Sequence, residues 1–401
     1  MNNASSNRRY EVQLVVLLTL AGGIAAVDAQ AVFYIMPFIV NDLHLSNTQV
    51  GLIGSAVLLG WSLAAFGLAL MSDHLGRRKP FLVGAFICFA LFSGLSAVVT
   101  SFVGLLVARL AMGIAEGPVI PIQHTLVMAA SPPQRRGLNM GLVQNFGAQL
   151  IGTLAAPVLL VWLASKAGWR SAFLVAGLPA LILALLMWRW IREPLPTSAV
   201  DARQVGSTRS RLAAVWRERN IKVCVLLGTC CVAWYFMLLT FVPLWLTTEL
   251  HLSAGTMSGI VAMMGAAGAT GAIVVAGLSD RIGRRAAIRL FSSVGLVAPL
   301  GILLSGPRPI LLGLSMFIGC LMVGTFSLFM GTVPQESVPP EHRATATAMV
   351  LCIAQLAGGI VGPAIGGVLA DRFGLQAPLM LAIVLAIAAV ALSNGLREPE
   401  R

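Results

Sequence analysis

Long apolar blocks separated by short polar or charged stretches set the pattern of this chain. Blocks long enough to cross a hydrocarbon core of ~30 Å run over 12–40, 49–72, 80–100, 102–127, 138–164 and 170–191. After a polar stretch they resume at 221–247, 255–278, 286–305, 309–333, 344–369 and 375–396. The blocks are unbroken rather than alternating, and a spanning segment must satisfy its own backbone hydrogen bonds, so each is read as a helix and not as a barrel strand. The pattern predicts an all-α polytopic membrane protein of twelve transmembrane helices. Its parts are an N-terminal six-helix bundle at 1–191, a linker at 192–219 and a C-terminal six-helix bundle at 220–401. The linker mixes Pro194, Pro196, Ser198, Gly206, Ser207 and Ser210 with arginines and reads as a tether. The first residues read as a short polar lead into a long first span, without a cleavable signal pattern.

Composition narrows the class further. Of the 401 residues, 58% are apolar and only 10% charged, where a soluble domain carries about 25% charged residues. A soluble globule of this size would lack the polar groups to cover its surface. The six cysteines fall within spans, show no metal-ligand spacing with histidine, and read as packing residues.

The charges then orient the chain. With the N-terminus inside, 22 of the 27 Lys and Arg fall on the cytoplasmic side, four outside (Lys166, Arg170, Arg308, Arg372) and one, Arg109, within a span. The net charge of +12 is therefore a positive-inside bias rather than a nucleic-acid patch. Both termini are expected in the cytoplasm of a bacterial-type inner membrane, with the basic face also meeting anionic lipid.

An internal repeat runs through the chain. Asp42-Leu43-His44-Leu45-Ser46 recurs as Glu249-Leu250-His251-Leu252-Ser253, an offset of 207. Ser72-Asp73-His74-Leu75-Gly76-Arg77-Arg78 recurs as Ser279-Asp280-Arg281-Ile282-Gly283-Arg284-Arg285, again at 207. Pro132-Pro133 with Arg136 recurs as Pro339-Pro340 with Arg343 at the same offset. Two related halves in parallel orientation place a substrate site near the midplane between them. The D-x-x-G-R-R loops after spans 2 and 8, in a chain of six plus six helices with a basic linker, resemble the major facilitator superfamily over nearly the whole length. In both copies the family's usual Gly four residues before the Asp is an alanine, Ala69 and Ala276. Asp73 and Asp280 can each meet the positive N-terminal end of a helix from the other half, after Arg343 or Arg136. The resemblance implies a cytoplasmic gate built from Asp73, Gly76, Arg77, Arg78 and Arg136, with Asp280, Gly283, Arg284, Arg285 and Arg343 as its second copy. The alternative is that these arginines serve topology alone.

Three ionisable residues lie well inside spans: Asp28, Arg109 and Glu116. Each costs about 2.5–3.5 kcal/mol at mid-depth unless paired or facing water. Arg109 and Glu116 are seven residues apart, hence about 10 Å apart along one helix face, and Gly113 between them leaves room for a side chain or ligand. One fixed cation with two carboxylates suits proton-coupled anion transport, with Arg109 attracting a substrate carboxylate and Asp28 and Glu116 exchanging protons. A static pair holding helices 1 and 4 is the structural alternative. His124 is a candidate relay, or a satisfied interfacial histidine.

The run Arg109-x-x-x-Gly113-x-x-Glu116-Gly117, followed by Pro133-x-x-Arg136-Gly137, is similar to the anion:cation symporter branch of that superfamily. The resemblance implies proton sites at Asp28 and Glu116 and an anion site at Arg109, with Trp61 where the branch places a substrate-contacting Tyr. Departures are Ala29 in place of an Arg after the helix 1 Asp, and Ala65 and Gly67 in place of a Gln and a Pro. The spacing of Asp28 to Pro37 is shared with the aromatic acid:proton symporters, although their additional Asp is Ala25 here. With one Arg and a Trp, the site suits a monocarboxylate with an apolar or aromatic body. Further substrate-binding candidates are Gln144, Asn145, Gln149, Tyr235 and Gln355, which can equally bind helix to helix.

The expected function is a secondary active transporter, a proton-coupled symporter importing an organic anion by alternating access, working as a monomer with the proton gradient as driving force and no cofactor. The alternative is export of drugs or metabolites by proton antiport. The exporters' helix 5 signature aligns here only at Gly152 and Pro157, and the Gly358 to Gly367 series lies in helix 11 instead. No nucleophile–base pair, metal cluster or phosphate loop points to an enzyme.

Overall fold

A computed structural model describes residues 2–75, 77–132, 135–193, 208–339 and 342–398. Among them every regular element is helical. The long helices are α1 (Asn2–Tyr34), α2 (Asn47–Leu75), α3 (Arg78–Val98), α4 (Phe102–Ala130), α5 (Ala148–Ala167) and α6 (Trp169–Trp190). They continue with α7 (Arg219–Glu249), α8 (Ala254–Ile282), α9 (Arg284–Leu304), α10 (Pro309–Glu336), α11 (Thr345–Phe373) and α12 (Gln376–Ser393). Eleven helices of the described residues are long and apolar enough to span a membrane. The other long one, α2, has 29 residues, and several of its side chains (65–70, 72–75) lie outside the described ones.

Some boundaries differ from the hydropathy reading for local reasons. The expected first span, 12–40, breaks at Ile35, and a short helix, Met36–Leu43, follows. Pro37 cannot donate to the preceding turn and its fixed φ suits the first turn of a new helix. The linker also contains a helix, Thr208–Arg217.

Chain contacts divide the molecule into two units. One comprises residues 1–45 and 56–197, the other 46–55 and 198–401. The first turns of α2 thus belong to the second unit and the rest of the helix to the first. They are held there by Asp371 of α11, whose two carboxylate oxygens accept from the Asn47 and Thr48 backbone N–H groups at 2.8 Å each. Those N–H groups have no partner within the helix, and a carboxylate also complements the positive helix end. Ser55 Oγ adds a bond to the Ile360 carbonyl at 2.6 Å.

The 207-residue repeat is written into the backbone as well. His44 and His251 both take left-handed φ, 49° and 51°. Ser46 and Ser253 each cap the following helix, accepting from Gln49 N–H and Thr256 N–H at 3.2 Å. Widened π-helical turns occupy 148–155 in the first copy and 355–361 in the second.

Within each unit the helices approach through glycine. A β-carbon at Gly147 would stand 2.1 Å from the Thr19 carbonyl oxygen, which brings α1 against the helix entering α5. In the second unit a β-carbon at Gly358 would stand 2.5 Å from the Thr229 carbonyl, joining α11 to α7. Apolar helices in lipid associate by such close backbone packing. Gly147→Leu should therefore destabilise the first unit by about 1–3 kcal/mol or more. Thermal unfolding in detergent checks this, and an unchanged midpoint would contradict the packing described.

Away from the basic loops, Arg170 and Trp169 bind Asp42 Oδ2 at 2.7 and 3.1 Å. These donors hold the Asp42 carboxyl below the usual carboxylate range. A depressed acid stabilises the fold above its unfolded pKa and loses that effect as pH falls through the folded value. The stability difference between wild type and Asp42→Asn should thus be present at neutral pH and disappear on acidification below about pH 4. A difference independent of pH would contradict the assignment.

Candidate functional site

Two of the three intramembrane charges meet in the first unit. Asp28 on α1 and Arg109 on α4 are both 0% exposed, with Arg109 Nη1 3.4 Å from Asp28 Oδ2 and 3.3 Å from its backbone carbonyl. The guanidinium is bound more closely by Ser96 of α3, whose hydroxyl accepts from Nη2 at 2.5 Å and from Nε at 3.1 Å. Ser96 in turn donates to the Phe92 carbonyl at 2.8 Å. The Phe173 ring of α6 lies 4.6 Å from the guanidinium carbon, a cation–π contact in a desolvated setting. Ser93, one turn before Ser96, reaches Asp28 Oδ1 at 2.5 Å and the Phe173 carbonyl at 2.8 Å. Four helices thus close around one ion pair.

The geometry explains why these residues are tolerated. A buried charge is costly unless paired and hydrogen-bonded, and here the pair itself is loose while neutral hydroxyls carry the shorter bonds. Glu116, two turns along α4, is half-buried.

The room expected at Gly113 is taken. A β-carbon there would stand 2.1 Å from the Val57 carbonyl oxygen and 3.0 Å from the Trp61 nitrogen of α2. Gly113, with Gly60 opposite it, seats α2 on α4 rather than making space for a ligand. The same contact places half-buried Trp61 beside α4.

Other candidates fall elsewhere. Gln149 is half-buried on α5, and the side chains of Gln144 and Asn145 lie outside the described residues. Tyr235 of α7 and Gln355 of α11 belong to the second unit. Tyr235 packs edge-on against Phe236 and Phe326, with ring centroids 5.3 and 6.2 Å apart. Gln355 Oε1 is buried without a partner among the described residues, as is His124 Nε2 on α4.

Of the gate candidates, Asp73, Gly76 and the Arg136 side chain lie outside the described residues. Asp280 is bound by Arg284 at 2.5 Å, and the same guanidinium reaches Glu336 at 3.3 Å and Ser279 Oγ at 2.7 Å. Arg77 and Arg343 are exposed. Gly283 has φ 90°, a backbone conformation that requires glycine, and the Glu398 carboxylate lies where a β-carbon would stand.

That neighbour belongs to a pair absent from the sequence reading. Glu193 accepts from the Arg78 and Lys79 N–H groups at 2.5 and 3.0 Å, and Glu398 accepts from Arg285 N–H at 3.0 Å. Each carboxylate caps the helix after a basic loop, and each sits in an Arg-Glu-Pro triplet, 192–194 and 397–399. The signal was present but lies 205 residues apart rather than 207. Buried Glu11 was also missed; it accepts from Asn139 Nδ2 at 2.7 Å and pairs with Arg135 at 3.1 Å. Ser93 and Ser96 were detectable only as two hydroxyls at i, i+3 on an apolar helix.

Removing one member of the central pair strands the other charge. Arg109→Ala should destabilise by about 3–5 kcal/mol, and Arg109→Ala combined with Asp28→Asn should recover much of that loss. Thermal unfolding of the single and double variants checks it; strictly additive losses would contradict the pairing.

The sequence matches the Major Facilitator Superfamily over residues 18–360. It is similar to the gallate transporter of Pseudomonas putida, at 29% identity over 96% of this chain and 92% of that protein. It is also similar to the hexuronate transporter of Bacillus subtilis (strain 168), at 28% identity over 91% and 89% of the two chains. Among solved structures it superimposes on a bacterial homolog of the human lysosomal transporter Spinster with a TM-score of 0.80, covering 96% of each chain at 18% identity. That last likeness is one of fold.

Proposed function

The chain belongs to the major facilitator superfamily and is a multi-pass membrane transporter rather than an enzyme, and from that premise we propose that it imports an organic carboxylate together with protons. The observation that carries the reading is the Asp28–Arg109 pair, wholly enclosed yet 3.4 Å apart. With Asp28 ionised, the guanidinium charge is balanced. With Asp28 protonated, an uncompensated positive charge remains in a medium of low dielectric, where it attracts an anion over several ångströms. Proton binding and anion binding then favour each other because together they restore neutrality. In this reading half-buried Glu116, two turns along α4, is the second proton site.

Carboxylate as the substrate class agrees with the gallate and hexuronate names carried by the two relatives. A monocarboxylate with an aromatic body suits one intramembrane Arg with Trp61 of the same unit as a candidate contact. The bias of 22 basic residues to one side supports cytoplasmic termini in a bacterial-type inner membrane. In alternating access the two halves expose the site to each side in turn, with the basic loops after α2 and α8 as the cytoplasmic gate. The proton gradient drives the cycle, and the working unit is a monomer.

Proteoliposomes with an inward proton gradient and a panel of aromatic and aliphatic carboxylates test this. Accumulation should require acid outside, and Arg109→Ala should abolish it. Glu116→Gln should lose gradient-driven accumulation while retaining exchange of internal for external substrate. Undiminished accumulation in both variants would contradict the mechanism, and substrate loss driven by the opposite gradient would favour export.

A further inference from the structure

A hydroxyl group has one proton, and Ser93 Oγ has two acceptors within reach. These are Asp28 Oδ1 at 2.5 Å and the Phe173 carbonyl at 2.8 Å. When Asp28 is ionised, the Ser93 proton serves one of them and leaves the other with an oxygen facing an oxygen. When Asp28 carries a proton, it donates to Ser93 Oγ, and Ser93 donates onward to Phe173. Both contacts are then hydrogen bonds.

We propose that Ser93 is the positioning residue for the Asp28 proton, a hydroxyl rotor that points to the Phe173 carbonyl when Asp28 is protonated and to the Asp28 carboxylate when the proton has left. The proposal rests on the proton-coupled reading above. The only covalent change is the O–H bond made or broken at the Asp28 carboxylate as one proton enters or leaves, and the serine keeps its own. The consequence is mechanical as well as electrostatic. Asp28 lies on α1, Ser93 on α3 and Phe173 on α6, so the protonation state of one helix decides whether the next two are hydrogen-bonded to each other.

The setting favours such a rotor. Ser93 is 0% exposed, so its hydroxyl partners are set by the protein around it. Its β-carbon fills the notch left by Gly177, 2.7 Å from where a β-carbon there would stand, which fixes the position of the hydroxyl between α1 and α6. Ser96, one turn away, is not a second rotor. It accepts twice from Arg109 and donates to Phe92, so its single proton has a single acceptor. The charged side chain in contact with Asp28 is Arg109 of α4, and Glu116 lies two turns further along the same helix. The Lys and Arg of α3, α5 and α6 are confined to the helix ends: Arg78 and Lys79, Lys166, Arg170 and Arg189. The α3 thiol, Cys88, is exposed.

The test is the pH profile of carboxylate uptake and of substrate exchange in proteoliposomes, for wild type, Ser93→Ala and Asp28→Asn. Ser93→Ala removes a donor to the carboxylate and an acceptor for the acid. A hydrogen bond to an ion is about twice as strong as a neutral one, but the acid loses two neutral bonds, its own to Ser93 and that of Ser93 to the Phe173 carbonyl, while the anion loses one bond and is relieved of the facing oxygens. The uptake profile should move by up to about one pH unit to the acid side, and Asp28→Asn should flatten it. An unshifted Ser93→Ala profile beside a flattened Asp28→Asn profile would overturn the rotor and leave the proton-coupled reading standing. A wild-type profile in Asp28→Asn would overturn both, as would a Ser93→Ala shift that persists when Asp28 is also replaced. Infrared difference spectra give a second readout that does not depend on turnover. The protonated-carboxyl band that Asp28→Asn removes should rise in frequency in Ser93→Ala, and an unmoved band would equally overturn the rotor.

Discussion

An arginine and an aspartate sealed from water inside an apolar helix bundle constrain everything around them. Neither charge can be left alone there without a cost of several kcal/mol, so four helices are committed to one arrangement of donors and acceptors. Serines on α3, a phenylalanine ring and carbonyl on α6, and the Asp28 backbone carbonyl complete the coordination of a pair whose own contact is long. The longer that contact, the smaller the penalty for interrupting it.

Glycine provides the geometry in which this is held. Gly113 seats α2 on α4 one turn past Arg109, Gly147 seats α1 on the helix entering α5, and Gly177 makes the notch that Ser93 fills. The π-helical turns fall at repeat-related places in both units, next to Gly147 in the first and around Gly358 in the second. Close approach of backbones leaves little tolerance for displacing one helix against the next. Carboxylates at the helix ends do related work outside the apolar layer. Asp371 holds the start of α2, and Glu193 and Glu398 hold the starts of α3 and α9.

Much of this was legible in the sequence because hydropathy and repetition are strong signals. The spans follow from runs too long for any soluble element, and the repeat follows from motifs matched at one offset. Asp28, Arg109 and Glu116 stood out because charge is rare in lipid. Ser93 and Ser96 did not, since hydroxyls are common in membrane helices and only their partners make them special. Gly113 was read as space because a missing side chain looks the same in sequence whether a ligand or a helix backbone fills it. The allegiance of residues 46–55 to the second unit depends on Asp371, 324 positions from Asn47, and no local pattern carries that contact. The paired Arg-Glu-Pro triplets were visible but slipped by two residues from the repeat.

In the proposed cycle a proton on the buried carboxylate and an anion near Arg109 balance each other's charge. Simultaneous recording of carboxylate entry and lumenal pH in vesicles without an imposed proton gradient measures this coupling. An inward carboxylate gradient alone should acidify the lumen, Asp28→Asn or Glu116→Gln should remove the acidification, and exchange of labelled carboxylate should continue in Glu116→Gln. Carboxylate entry by the wild-type protein with no change in lumenal pH would contradict it.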